Sequence, residues 1–194
     1  CGWSSDVCSS DLGAFRPRLA IVDDLPPARA LVEASRGAYN LVVGNRGAAP
    51  LVATLGSTAQ HVALHAHCPV TVVRAHQEHP DRDPRVVVGV DGYAGGRAAL
   101  ALAFRVADPA GVVEVVRAEV LTAGELRGQD AAAYAAQVLA QRQADLRSVL
   151  GDLPALHPGV RVETAVVWGE AVTVLAEKAA AADVLVVAPR GLGG

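Results

Sequence analysis

The sequence predicts an α/β protein in which parallel strands alternate with helices and the helices cover both faces of the sheet. Short Val-rich runs that are apolar on both faces alternate with Ala-rich stretches of helical periodicity, the pattern of a sheet buried on both sides. The alternation also occurs twice. Leu41-Val42-Val43-Gly44-Asn45-Arg46-Gly47 returns as Leu185-Val186-Val187-Ala188-Pro189-Arg190-Gly191, an offset of 144, and Leu31 and Glu33 meet Leu175 and Glu177 at that same offset. A short match arises easily in a Val-rich chain, but one that carries the preceding helix with it at fixed spacing points to duplication.

In chain order, Cys1 to Leu12 (CGWSSDVCSSDL) match nothing that follows and lack the basic start and apolar run of a signal peptide. Residues 1–12 are therefore set aside as a foreign leader or artefact. Residues 13–74 form the C-terminal part of a first copy: a strand at Leu19 to Val22, a helical stretch, a strand at Leu41 to Gly44, a helix opening at Gly56-Ser57-Thr58, and a strand at Val70 to Arg74. Ala75 to Pro84, AHQEHPDRDP, is polar and proline-bearing and reads as a linker.

The second copy, 85–194, reads as strands at Val86 to Asp91, Val112 to Ala118, Val160 to Val167 and Val184 to Ala188. Helices fall between them, at about Gly96 to Ala107, at Ala131 to Leu150 and at about Glu170 to Ala182. In the longest, Tyr134, Val138, Leu139, Leu146, Val149 and Leu150 recur at helical spacings while Gln141, Arg142 and Asp145 mostly fall elsewhere, so it is amphipathic. The offset of 144 carries Arg85 back to position −59 and Arg74 forward to position 218, so both copies are expected to be incomplete, the second lacking its last helix and strand.

Composition narrows the function classes. With 52% hydrophobic residues the chain is no disordered polymer, and a net charge of −3 with a pI near 6.1 offers no basic field for nucleic acid or a membrane surface. Apolar strings are broken well short of the roughly 20 residues that a membrane helix needs. Cys1, Cys8 and Cys68 are too few and too irregular for a disulfide framework, which points to a reducing cytoplasm. A chain that opens on Cys1 and holds no methionine reads as part of a longer translated protein.

In a doubly wound sheet ligands sit beyond the carboxyl ends of the strands, so Gly44 and Gly47, just after a strand, and Gly56-Ser57, at a helix start, carry the most chemistry. Glycines admit close approach of phosphate, and free N–H groups at a helix start favour an anion. Ser57-Thr58-Ala59-Gln60 equally reads as a capping box, with Ser57 as N-cap and no ligand. Asp91, at a strand end, is either a ligand group or a carboxylate that accepts backbone N–H bonds.

Gly44-x2-Gly47-x8-Gly56-Ser57, followed by His65, Cys68-Pro69-Val70 and Val72-Val73-Arg74, resembles the universal stress protein family, as does Val87-Val88-Gly89-Val90-Asp91-Gly92. The resemblance, to tandem UspA-like repeats, covers about residues 16 to 194. It implies an open parallel five-stranded sheet with helices on both faces, Rossmann-like and of the adenine nucleotide alpha hydrolase-like type, in two tandem incomplete copies. It also implies ATP or AMP as ligand, with Gly44, Gly47, Gly56 and Ser57 at the phosphates of the first copy and Asp91 facing adenosine in the second. The sequence departs from the pattern in two places: eight residues separate Gly47 from Gly56 where the family has nine, and Ala188-Pro189 stand where a Gly and a small polar residue are usual.

The expected role is a cytoplasmic, nucleotide-binding stress-response regulator rather than an enzyme, at most a slow ATPase, forming a homodimer or an intramolecular pseudo-dimer of repeats. The alternatives are a nucleotide-free interaction module and, less favoured, an ATP-dependent ligase or pyrophosphatase. His61-x3-His65-x-His67-Cys68 has the residue types of a metal cluster, but His65 and Cys68 occupy positions that the family fills without metal. No metal is expected beyond nucleotide-associated Mg. Asp91-Gly92-Tyr93-Ala94-Gly95-Gly96 lacks the spacing of a dinucleotide fingerprint, and nucleophile-elbow, P-loop, C-x-x-C and HExxH motifs are absent. A permuted arrangement, with Val86 to Ala118 inserted into the first copy's sheet, is a further expectation.

Overall fold

A strand that is apolar on both faces is stable only where helices cover both of them, and that requirement organises the chain. The structure, a computed structural model, describes residues 24–45, 55–73, 82–91, 94–107, 109–120 and 130–188. The chain divides into two compact units, Cys1–Ala75 and His76–Gly194.

The first unit contains α1 (Pro27–Ala34), β1 (Leu41–Gly44), α2 (Ser57–His65) and β2 (Val70–Val73). Proline begins α1, where its missing N–H costs nothing. The strands pair in parallel from Leu41↔Val70 to Gly44↔Val73, and the ladder continues at both ends through Leu41 N–H to Pro69 O and Asn45 N–H to Val73 O, each 2.9 Å. Val62 and Ala59 of α2 are buried. Ser35, fully buried at the end of α1, donates to Val32 O at 2.6 Å and accepts from His67 N–H at 2.9 Å. One hydroxyl thus ties the end of α1 to the turn between α2 and β2. The expected strand at Leu19 to Val22 lies outside the described residues.

The second unit contains β3 (Arg85–Gly89), α3 (Ala94–Ala107), β4 (Val112–Glu119), α4 (Ala131–Leu150), α5 (Leu153–Leu156), β5 (Arg161–Trp168), α6 (Ala171–Ala180) and β6 (Val184–Val187). Its four strands are all parallel, in the order β5-β4-β3-β6. Alternate residues face opposite sides. Val86, Val88, Val113, Val115 and Val186 pack with Leu100 and Phe104 of α3 and Leu146 and Leu150 of α4. Val87 and Val116 pack with Val174 of α6 and Ala182 beyond it. Each fully buried Leu or Phe contributes about 1.5–3 kcal/mol of transfer free energy.

Helix α4 spans the residues its periodicity predicts. Asp130 caps it, accepting from Ala132 N–H and Ala133 N–H at 3.0 and 3.4 Å, and Gly151, at φ +54, ends it. The short α5 was not expected, because Gly151-Asp152-Leu153-Pro154 reads locally as a break; burial of Leu153 in the core holds it.

The described residues form one two-stranded and one four-stranded sheet, both parallel, as the expected α/β class requires. One expectation changes. The permuted arrangement is overturned, because β3 has β4 and β6 on its two sides and β4 has β3 and β5, leaving neither strand an edge for another sheet.

At the amino end of this sheet Glu114, nearly buried, is shared by Lys178 of α6 and by Arg85 Nη1 at 2.9 Å, and Arg85 also reaches Glu163 at 2.9 Å. The bond to Glu163 first, and the charges of Glu163 and Glu114 after it, raise the Arg85 guanidinium further above its ordinary value. Glu114 and Glu163 are register partners, so their carboxylates share a face and need the cation between them. Glu114→Ala would leave Arg85 and Lys178 without their common anion and is expected to cost about 3 kcal/mol in urea unfolding, with Glu114→Met/Lys178→Met recovering most of it. A single variant as stable as the parent would contradict this role.

Candidate functional site

Two places at the carboxyl ends of strands bear on ligand binding, one in each unit. In the first unit β1 ends at Gly44, Asn45 follows, and the chain returns at Gly56 to open α2. Gly56 N–H donates to Asn45 O at 2.9 Å, closing the base of the loop, and Gly56 C=O accepts from Gln60 N–H at 2.9 Å, starting the helix. This geometry brings Gly44, Gly56 and Ser57 to one corner. Gly47 lies outside the described residues.

Gly56, not Ser57, is the N-cap residue, with extended backbone (φ −60, ψ 151) and no side-chain cap. Ser57 is the first residue of the helix and is exposed. The capping-box reading is therefore corrected: the bond from Gly56 to Asn45 sets where the helix starts, one residue earlier than the local pattern suggests. With no side-chain cap hydrogen bond among the described residues, the α2 N-terminus offers N–H groups and a positive dipole end that suit an anion.

In the second unit the strand order reverses between β3 and β6, and the crevice at such a switch point is where open α/β sheets hold ligands. Val90 N–H donates to Val116 O at 3.0 Å, extending the ladder, and Asp91 follows, exposed. Packing at Gly89 is close: a Cβ would stand 2.8 Å from Leu175 Cδ1 of α6, so a larger residue there needs that side chain to shift. Asp91 and the Gly44 corner belong to different units, and each is described within its own.

A polar cluster also stands at the carboxyl end of β4. Arg117 Nε lies 2.6 Å and Arg142 Nε 2.8 Å from Glu119 Oε1, while Asp145 faces Arg142 Nη1 at 3.4 Å and Arg117 Nη1 at 3.7 Å. The hydrogen bond from Gln141 first, then those two arginines, hold the Asp145 carboxyl below its ordinary value. Sequence spacing gave no sign of this cluster, whose members meet only when α4 lies along β4. A groove of about 230 Å³ nearby is lined by Tyr134, Gln137, Val138, Gln141 and Arg142, all on α4, and is a furrow on one helix rather than a chamber.

The four residues His61, His65, His67 and Cys68 divide. The rings of His61 and His65, a turn apart on α2, have centroids 4.5 Å apart, whereas His67 is fixed through its backbone to Ser35 and the Cys68 thiol faces Pro69 O. Among the described residues no three His, Cys, Asp or Glu side chains gather in a group that could hold a metal ion. None of the described helices is long and apolar enough to cross a membrane.

These geometries predict opposite outcomes for two serines. Ser57→Ala removes no cap and is expected to change stability by less than about 0.5 kcal/mol, whereas Ser35→Ala leaves His67 N–H without its acceptor and is expected to cost about 1–3 kcal/mol. Thermal unfolding of the two variants checks this. A larger loss for Ser57→Ala would restore the capping box.

The universal stress protein family model matches residues 17–74. The chain is 32% identical over 183 residues to universal stress protein Rv2623 of Mycobacterium tuberculosis, covering 88% of this chain and 59% of that relative. It is 31% identical over 200 residues to universal stress protein Rv2005c of the same organism, covering 94% of this chain and 63% of the relative. The chain thus spans about three fifths of the length of these curated relatives. Among solved structures, a universal stress protein from Archaeoglobus fulgidus aligns with a TM-score of 0.57 at 21% identity, over 87% of this chain and 56% of that one, a likeness of fold. Residues 17–74 thus match the universal stress protein family, and similarity to members of that family runs through both units of the chain.

Proposed function

We propose that this chain binds an adenine nucleotide, ATP or AMP, as a regulatory ligand in the stress response and does not turn it over as an enzyme. The observation that carries this reading is the corner of the first unit: the α2 N-terminus without a side-chain cap, opened by Gly56 and held against the end of β1 by the bond to Asn45. Such a helix start offers N–H donors and a partial positive charge to a phosphate, and Gly44 and Gly56 allow it close approach.

On this reading Gly44, Gly47, Gly56 and Ser57 line the phosphates, with Mg accompanying the nucleotide. Asp91, beside the switch-point crevice of the second unit, takes the adenosine-facing role there. The element positions support tandem copies at 13–74 and 85–194 joined by 75–84: α1 and α6 begin at Pro27 and Ala171, 144 residues apart, and β1 and β6 at Leu41 and Val184, 143 apart. The protein acts in the cytoplasm as a homodimer or an intramolecular pseudo-dimer of these copies.

Gly56→Asp tests the phosphate corner cleanly. Asp is among the best N-cap residues, and the backbone of Gly56 is open to it, so α2 should form while the carboxylate takes the donors and repels phosphate. Titration of the full chain with a fluorescent ATP analogue is expected to saturate, to be reversed by ATP and AMP, and to weaken roughly tenfold or more, at least about 1.4 kcal/mol, in the variant. No binding by the parent at millimolar nucleotide would leave the nucleotide-free interaction module as the reading.

A further inference from the structure

We infer that His61 and His65 form a two-histidine site on α2 for a divalent first-row transition metal. Both residues lie within Ser57–His65, so the helix itself sets their separation of one turn and stacks them on one face. Their ring centroids stand 4.5 Å apart with the rings tilted by 51°. Imidazole nitrogens bind such ions at about 2.0–2.1 Å, so two nitrogens sharing one ion stand roughly 3–4 Å apart, a spacing compatible with rings whose centroids are 4.5 Å apart. His65 is exposed and His61 half-buried, so an ion reaches them from solvent.

The chemistry of the pair selects the ion. Imidazole suits Zn2+, Cu2+ and Ni2+, bound in the general order Ni2+ below Cu2+, and does not compete for Mg2+ or Ca2+, which take oxygen ligands. Among the described residues no third His, Cys, Asp or Glu joins the pair, so water completes the shell. The site is therefore an open surface clip and not a closed structural centre. Its effect is mechanical: an ion joining the second and third turns of a nine-residue helix is lost when that helix unwinds, so binding stabilises α2. The inference is independent of nucleotide binding, since neither His touches the Gly56 corner in any contact described above.

The test uses the full chain and Ni2+ alone, read by calorimetry and by the imidazole resonances in two-dimensional NMR. One Ni2+ is expected to bind with broadening of both His61 and His65 signals, and Mg2+ to produce neither response. His65→Ala, at an exposed position, and His61→Gln are each expected to weaken that event roughly tenfold or more, while His67→Ala changes it less than about twofold. Ni2+ binding unchanged in His65→Ala, or lost equally in His67→Ala, overturns the proposal, as does broadening that spares the two ring signals.

Discussion

Burial of β3 on both faces is the constraint from which the second unit follows. Val86, Val87 and Val88 are consecutive and almost wholly removed from solvent, which requires cover from two opposite directions at once. Helices α3 and α4 supply one cover and α6 the other, so the sheet is a middle layer. Strand β3 also needs a partner on each edge, and β4 and β6 provide them in parallel register. The reversal of strand order beside β3 follows directly, and with it the crevice next to Asp91. Gly89 marks how close this packing is, since a methyl group there would have to displace the end of the Leu175 side chain.

Charged side chains pair with one another at both ends of this sheet. At the amino end Arg85, Glu114, Glu163 and Lys178 link three strands to α6 through ion pairs that are at least partly shielded from water. These groups satisfy one another. At the carboxyl end of β4, Glu119 and Asp145 are held by Arg117 and Arg142, so the charges there balance one another. The first unit contributes something different: an uncapped helix start, whose donors are backbone groups and whose charge is that of the helix dipole.

Much of this was legible in the sequence because it rests on period and repetition. The apolar spacing of Ala131 to Leu150 gave α4 its residues, and the Val-rich runs gave six strands within a residue or two of their ends. What escaped local reading depends on contacts between distant positions. Ser57 has the neighbours of an N-cap, but the bond from Gly56 to Asn45, across eleven residues, fixes the helix start at Gly56 instead. Ser35 looks like an ordinary loop residue until His67, 32 positions away, folds onto it. The Arg117, Glu119, Arg142 and Asp145 cluster likewise needs α4 to lie beside β4 before it exists. Of the site residues read from sequence, Gly44, Gly56 and Ser57 converge, Asp91 stands at the switch point of the other unit, and Gly47 falls outside the described residues.

The central claim is that phosphate is recognised at the start of α2. Backbone amide shifts of the full chain, followed while AMP and, separately, adenosine are added, address it most directly. AMP is expected to shift the amides of Ser57 and Thr58 along with that of Gly56, and adenosine at equal concentration to leave them nearly unchanged, because only AMP carries the anion that these donors suit. Equal shifts from both compounds, or AMP shifts confined to residues away from the Gly56 corner, would contradict the account.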